Sequence, residues 1–299
     1  MSKTGKSFLL LAAIVLLDAA VYCAFVRPVI LQWGASAREA GAHLAGDELA
    51  PFASSTRAIT INAPRRAVWQ WLVQLGADRG GFYSYTVLEN LLGYETGNVI
   101  HLVPRFQGMR VGRIVPSTPG PHPGSPDERW SWQVVRVDPG KSFVLRGWGA
   151  FVLQDAGPGK TRLIVRTHGW DTPTLASEIK YFFMMPLHYI MERRMLMGIK
   201  ARAEAGPGVR LSPVPDYLWL GGVLFAAMGI IALIFMTRGP LQAIAPIIHS
   251  ILWLWTCLAA DPSPVYALTL LAVVLATILW LAIRNSGRGK LLITGTSLS

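Results

Sequence analysis

Four long apolar segments constrain this chain more than any other feature: Ser7 to Val26, Tyr217 to Met236, Leu241 to Ala259 and Val265 to Ile283. A helix rising about 1.5 Å per residue needs roughly 20 apolar residues to cross about 30 Å of hydrocarbon, and each segment approaches that length. So many long apolar runs are hard to bury in a water-soluble core, and they predict an integral membrane protein with four spans. Composition agrees: of 299 residues, 52% are hydrophobic and only 15% are charged. The first run starts with Lys3 and Lys6, as a signal peptide would. Yet "AVYCAFVRP" offers no small-x-small cleavage pattern, so this segment is read as an anchor.

The net charge of +11 does not point to nucleic acid, because basic residues are scattered through the middle of the chain with acids among them. Charge is more informative about orientation. Lys3, Lys6, Arg238, Arg284, Arg288 and Lys290 fall on one side of a four-span arrangement, and Asp261 falls on the other. The positive-inside rule then places both termini in the cytoplasm and the large middle region outside, with Arg27, Arg38 and Arg210 counting against it. Cys23 and Cys257 both lie within spans, which argues against a disulfide framework or a cysteine zinc site; no metal and no cofactor is expected. Asp18 lies near the middle of the first span and His249 near the middle of the third. An acid at mid-membrane costs about 2.5–3.5 kcal/mol on insertion scales, so Asp18 should face the bundle and find a partner. His249 is the expected one, as helix-helix glue or in a proton or ion role. Trp219, Trp253, Trp255 and Trp280 fit interfacial anchors.

The spans divide the chain into an N-terminal anchor and linker (1–46), a region of ordinary soluble composition (47–206) and a three-span region (207–299). In the middle region "RAITINAP" alternates like a half-buried strand, and Pro64 suits the first turn of a helix through "RRAVWQWLVQLG", stopping at Gly76. "YTVLENLLG" predicts a second short helix closed by Gly93. Short β-type runs follow: "MRVGRIVP", "RWSWQVVRVDPG", "KSFVLRGWG", "AFVLQDAGPG" and "KTRLIVRTHGW". "PSTPGPHPGSPDE" interrupts them as a long loop. "GPGKT" resembles the tail of a nucleotide-binding loop but joins two strands, so it is read as a hairpin turn. A long last helix runs from Ser177 to Gly206, with Pro186 expected to kink or divide it. A strongly bent sheet can bury only part of its inner face under a single helix, which leaves a cavity between them.

The run "RAITINAPRRAVWQWLVQLGADRGGFYSYTVLENLLG", the later "TRLIVRTHGW" and the closing "HYIMERRMLMGIKARAEA" resemble the START/Bet v 1-like (SRPBCC) superfamily, in particular bacterial polyketide cyclase/dehydrase-like proteins. The resemblance covers about half the chain. It implies an α+β helix-grip fold, an antiparallel curved sheet around a long C-terminal helix; the all-α transmembrane helices lie outside it, and a bacterial plasma membrane is the expected location. The superfamily includes lipid carriers, small-molecule receptors and cyclases, so the fold alone does not choose an activity. The leading expectation is binding of a small apolar ligand or lipid at the membrane. The alternatives are a cyclase or dehydratase acting on a polyketide- or isoprenoid-like substrate, and a sensor or assembly module with a protein partner.

In such a cavity Phe82, Tyr83 and Tyr85 would line the mouth, with Arg79 and Glu89 as polar partners. Equally, Arg79 and Glu89 form a stabilising pair and the aromatics are core. Phe182, Met185, Tyr189 and Leu196 share one apolar face of the last helix, while Glu192, Arg193 and Arg194 read by default as a solvated face, the alternative being that one of them projects into the cavity or pairs with Glu89 or Arg79. His168 and Trp170 end a strand in "RTHGWD"; next to Asp171, His168 would do acid-base work in an enzyme or simply be hydrogen-bonded.

Overall fold

A computed structural model of the protein describes residues 2–49, 53–91, 97–117, 131–168 and 174–294, with side chains except at 53 and beyond 286. The chain divides into two compact units, one joining Met1–Val29 to Ser212–Ser299 and the other running from Ile30 to Leu211. In chain order the elements are helix α1 (Lys3–Val21), a π turn (Tyr22–Val26), α2 (Arg27–Leu31), α3 (Ala37–Gly41), strand β1 (Ala53–Ile61), α4 (Arg65–Leu72) and α5 (Thr86–Leu91). Strands β2 (Ile114–Pro116), β3 (Ser131–Asp138), β4 (Ser142–Leu145), β5 (Gly149–Asp155) and β6 (Thr161–His168) follow. Helices α6 (Leu175–Ala205), α7 (Val214–Met236), α8 (Pro240–Leu258) and α9 (Pro264–Thr294) complete the chain.

Among the described residues four helices are long and apolar enough to cross a membrane: Lys3–Leu31, Val214–Met236, Pro240–Leu258 and Pro264–Ser286. The π turn in the first of them precedes Pro28, whose missing N–H and ring clash one turn back favour a local shift of the hydrogen-bond register. Helices α7 and α9 approach closely because Gly222 and Gly229 face Ala267 and Val274; a Cβ at either glycine would collide with those side chains. Large apolar side chains such as Leu16, Phe25, Leu224, Phe225, Leu279 and Ile283 remain exposed, as expected of a surface suited to lipid and not to water.

The sequence placed Asp18 against His249, and the structure gives each a different partner. Asp18 accepts a hydrogen bond from the Ser250 hydroxyl at 3.1 Å. His249 has Nδ1 2.6 Å from the Ala245 carbonyl and Nε2 3.3 Å from the Thr277 hydroxyl. Successive helical residues point about 100° apart, so at neighbouring positions only one can face the first helix. Among the tryptophans, Trp255 and Trp280 are exposed, Trp219 is buried, and Trp253 donates to the Val223 carbonyl at 2.8 Å.

The second unit is α+β, built on a six-stranded antiparallel open sheet in the order β1-β6-β5-β4-β3-β2. β1 and β6 pair from Ile61↔Thr161 to Ala53↔His168, which brings the first and last strands together. β3 to β6 form consecutive hairpins, and "GPGKT" is the turn between β5 and β6, closed by the Lys160 N–H on the Gly157 carbonyl. Only Ile114–Pro116 of "MRVGRIVP" is strand. Most of the expected loop after it, residues 118–130, lies outside the described residues.

Strand parity sorts the side chains. Ile61, Leu163, Val165, Phe151, Leu153, Phe143 and Val134 join Val68, Trp71 and Leu72 of α4 and Met195, Leu196 and Ile199 of α6 in one core. On the opposite face Ala58 and Ile164 pack under Leu44, with Ala35 and Ala42 beside it. The segment before Asp47 therefore belongs to this unit, strapped across the outer face. Helix α4 ends at Leu72, and Gly76 pairs with Gly81 in an isolated bridge that turns the chain. Pro64 is the N-cap of α4 and not part of its first turn. Helix α6 runs undivided through Pro186 and stops at Gly206, whose φ of 84° suits a glycine.

Candidate functional site

A cavity of about 330 Å³ opens between α6 and the sheet. Phe82, Trp132 and Trp148 form its aromatic wall, with ring centroids 5.9 Å apart for both Phe82 pairs and 4.6 Å for the two tryptophans. Met184, Leu187, Met191 and Met195 line it from α6, and Ser84, Glu89, Ser117, His188 and Glu192 add polar groups. The α6 residues recur at spacings of three, four and four, a single helical stripe one residue away from the buried Met185, Tyr189 and Leu196. Methionine's unbranched, polarisable chain adapts to irregular shapes, which suits a wall facing a variable apolar occupant.

The polar end of the cavity centres on Glu192. Its Oε1 accepts from Arg57 Nη1 at 2.7 Å, and both side chains are buried, at 1% and 0% exposure. Its Oε2 accepts from Trp148 Nε1 and from the Thr167 hydroxyl, each at 3.3 Å, and lies 3.5 Å from His188 Nε2. Burial alone would raise the Glu192 carboxyl, but Arg57, His188 and Trp148 outweigh it and hold the group below its ordinary range. Burial depresses His188 despite the attraction of Glu192, and Arg57 depresses it further, so the charged form of the ring is disfavoured. Among the described residues His188 Nδ1 is buried without a hydrogen-bond partner. Arg57 is itself fixed: Nε donates to the Ile30 carbonyl at 2.7 Å and Nη2 to the Met185 sulfur at 3.0 Å.

Glu192 and Arg193 are thus buried, and the solvated-face expectation fails for both. A charged triplet on a long helix is ordinarily solvated; here Arg57 supplies the countercharge from a strand that sequence proximity does not connect to α6.

Of the residues singled out from the sequence, Phe82 and Glu89 line the cavity. Tyr83 is wholly buried; its hydroxyl donates to the Trp71 carbonyl at 3.2 Å and accepts from Gln74, and burial pushes its pKa up to about 12. Its φ of 57° places it in the left-handed region, stabilised by Asn98 Oδ1 accepting from its N–H at 2.6 Å. Gly198 lets α6 close on this turn, since a Cβ there would strike the Tyr83 backbone. Arg79 donates to the Phe106 carbonyl and lies over that ring, 5.4 Å from its centroid, so the expected pair with Glu89 does not form. Tyr85 is buried with Arg194 over its ring at 5.8 Å.

Met185 holds Arg57, as above. Tyr189 lies between Arg57 and Arg193, at 5.1 and 4.9 Å from its ring centroid. Phe182 packs edge-on against Phe183. His168 faces the outer side of the sheet, with Nε2 3.0 Å from Asp47 Oδ1, a hydrogen-bonded histidine and not a cavity group. Trp170 and Asp171 lie outside the described residues.

Sequence reading missed Arg57, Trp132, Trp148, His188 and the stripe Met184, Met191 and Met195. One signal was present: Arg57 shares strand parity with Ile59 and Ile61, so an alternating strand carries a charge on its core face. Compared with known proteins, the chain matches no family model and no curated relative.

Proposed function

We propose that the second unit is a membrane-anchored helix-grip domain of the START/Bet v 1-like kind that binds an apolar or amphipathic small molecule in the cavity beneath α6. The order of one strand, two helices, five strands and a long last helix supports that fold reading. The observation that carries the function is the cavity itself: about 330 Å³, walled by aromatic and methionine side chains, with a buried ion pair at one end. Small-molecule sites commonly fall in the range of about 300–1,000 Å³ and combine apolar walls with a few fixed polar groups. Apolar walls favour a hydrocarbon body, and the Glu192 end favours a ligand carrying a hydroxyl or amine donor. Four helices able to cross a membrane tether the unit where lipophilic compounds concentrate. We assign both termini to the cytoplasm and the unit to the other side, on the charges of Lys3, Lys6, Arg238 and Arg284.

The test is native mass spectrometry of the full chain, incubated with a panel of free fatty acids, isoprenoid alcohols and phospholipids. The wild type should carry or take up an apolar ligand, and Met191→Trp, which fills the cavity, should not. A wild type that retains none and takes up none would sink the proposal.

His188 favours a second reading, a cyclase or dehydratase. An imidazole that lines the cavity 3.5 Å from a carboxylate fixed by Arg57 is a group able to take part in acid-base work there. His188→Gln should then keep ligand uptake and end any change in ligand mass. A panel returned unchanged by the wild type removes the enzyme reading.

A further inference from the structure

We infer that the first unit holds a phosphate-bearing anion between Lys3, Lys6 and Arg238, at the ends of α1 and α7. These three cations line one cavity of about 650 Å³ together with Ser7, and among the described residues no acidic one lines it. Neither ammonium group has an ion-pair or hydrogen-bond partner among the described residues. Three like charges facing one concave space repel each other, and a bound anion converts that repulsion into attraction.

The arginine is fixed in place. Arg238 Nη1 donates to the Asn285 carbonyl at 3.0 Å, and its backbone N–H donates to Gln242 Oε1 at 2.8 Å. Gln242 Nε2 in turn donates to Asn285 Oδ1 at 3.2 Å, and Asn285 Nδ2 to the Met236 carbonyl at 3.1 Å. Gln242 and Asn285 are both buried. Polar side chains so placed in an apolar bundle hold position only when their bonds are satisfied, and among the described residues this network leaves Arg238 Nε and Nη2 for another acceptor. The first turns of α1 and α8 also meet at this cavity and bring partial positive charge, while at the opposing C-terminal end of α7 the Met236 carbonyl is already taken by Asn285 Nδ2.

Leu10, Ile234 and Ala243 make the rest of the wall apolar. Cations at one side of an apolar cleft match a phosphate with a hydrocarbon chain alongside it. A charge bias that only set orientation would need neither a cleft nor an immobilised guanidinium, because that rule depends on the number of charges near span ends.

The experiment uses the purified full chain in mild detergent, with thermal unfolding and native mass spectrometry as readouts. Three probes are titrated: phosphatidylglycerol, phosphatidylcholine and inorganic phosphate. Phosphatidylglycerol should bind at least about tenfold more tightly than phosphatidylcholine, and each lysine removed should weaken it about fivefold, roughly 25-fold for the Lys3→Gln/Lys6→Gln double variant. Both lysines are exposed, so that variant should fold. Arg284→Gln removes a charge one residue from Asn285, on a side chain stacked over Trp280 and outside the cavity lining, and should change binding less than twofold. Stabilisation by inorganic phosphate equal to that by phosphatidylglycerol would assign the site to a soluble phosphate compound; stabilisation by the lipid alone would assign it to a headgroup. Equal binding of the two lipids with no effect of inorganic phosphate, no loss in the double variant, or the same loss in Arg284→Gln would overturn the site.

Discussion

On the outer face of the sheet, Arg166 directs its guanidinium to five acceptors: the Thr56 hydroxyl, the carbonyls of Glu39, Ala40 and Ala42, and Asp47, all between 2.6 and 3.1 Å. On the inner face, Arg57 reaches one carbonyl, one carboxylate and a methionine sulfur. The other contacts to that carboxylate stretch to 3.3 Å and 3.5 Å beside an open cavity. A guanidinium has five N–H donors, so Arg166 is saturated by short bonds and acts as a staple for the strap. The Glu192 cluster keeps long bonds next to space, and so has capacity to adjust to another polar group. Saturation separates the two charges and burial does not, since both arginines are nearly inaccessible.

Breaking the inner pair tests this contrast most strongly. Glu192→Ala leaves Arg57 buried without its countercharge and should cost about 3–5 kcal/mol in denaturant unfolding of the full chain, and adding Arg57→Met should recover most of it. A single-variant loss below about 1 kcal/mol would mean that water already reaches the pair.

Arg166→Met should cost less, about 2 kcal/mol, with a local signature. Hydrogen exchange should rise first across residues 35–48, while the β4 and β5 amides stay protected. Uniform loss of protection would show that the strap is part of one cooperative core.

Acid should act on both faces, since Glu39 and Asp47 of the strap are also held below the usual carboxylate range, but the inner face should respond first. Glu192 and His188 both have folded pKa values below their ordinary 4.5 and 6.5, so each contributes stability above those values that is lost as pH falls. The loss should begin below about pH 6.5, and His188→Gln should remove that first part. A profile unchanged by that substitution would show that the ring titrates alike in both states.

The smallest effect belongs to the half-exposed surface pair of Arg65 and Asp155 at 2.7 Å. Arg65→Ala should shift stability by no more than about 0.5 kcal/mol, which sets the baseline for the other variants.

Sequence determined what depends on local pattern. The four apolar runs gave the four helices able to cross a membrane, and alternation with turn residues gave β3 to β6. It gave the end of α6 at Gly206 as well, because only that residue type adopts the conformation readily. Near neighbours decide these features, so a short window carries them. Tertiary structure decided the partners. Glu192 lies 135 positions from Arg57, and a run of one acid and two arginines on a helix looks solvated until a strand brings a guanidinium under it. Asp18 met Ser250 and not His249 because a helix's rotation about its axis is set by packing, which no linear pattern encodes. The His168 that looked reactive at a strand end was bound by Asp47 through a strap folding back on the outer face. Which side chains share a cavity depends on contacts between residues far apart in the chain, and only the folded chain fixes those distances.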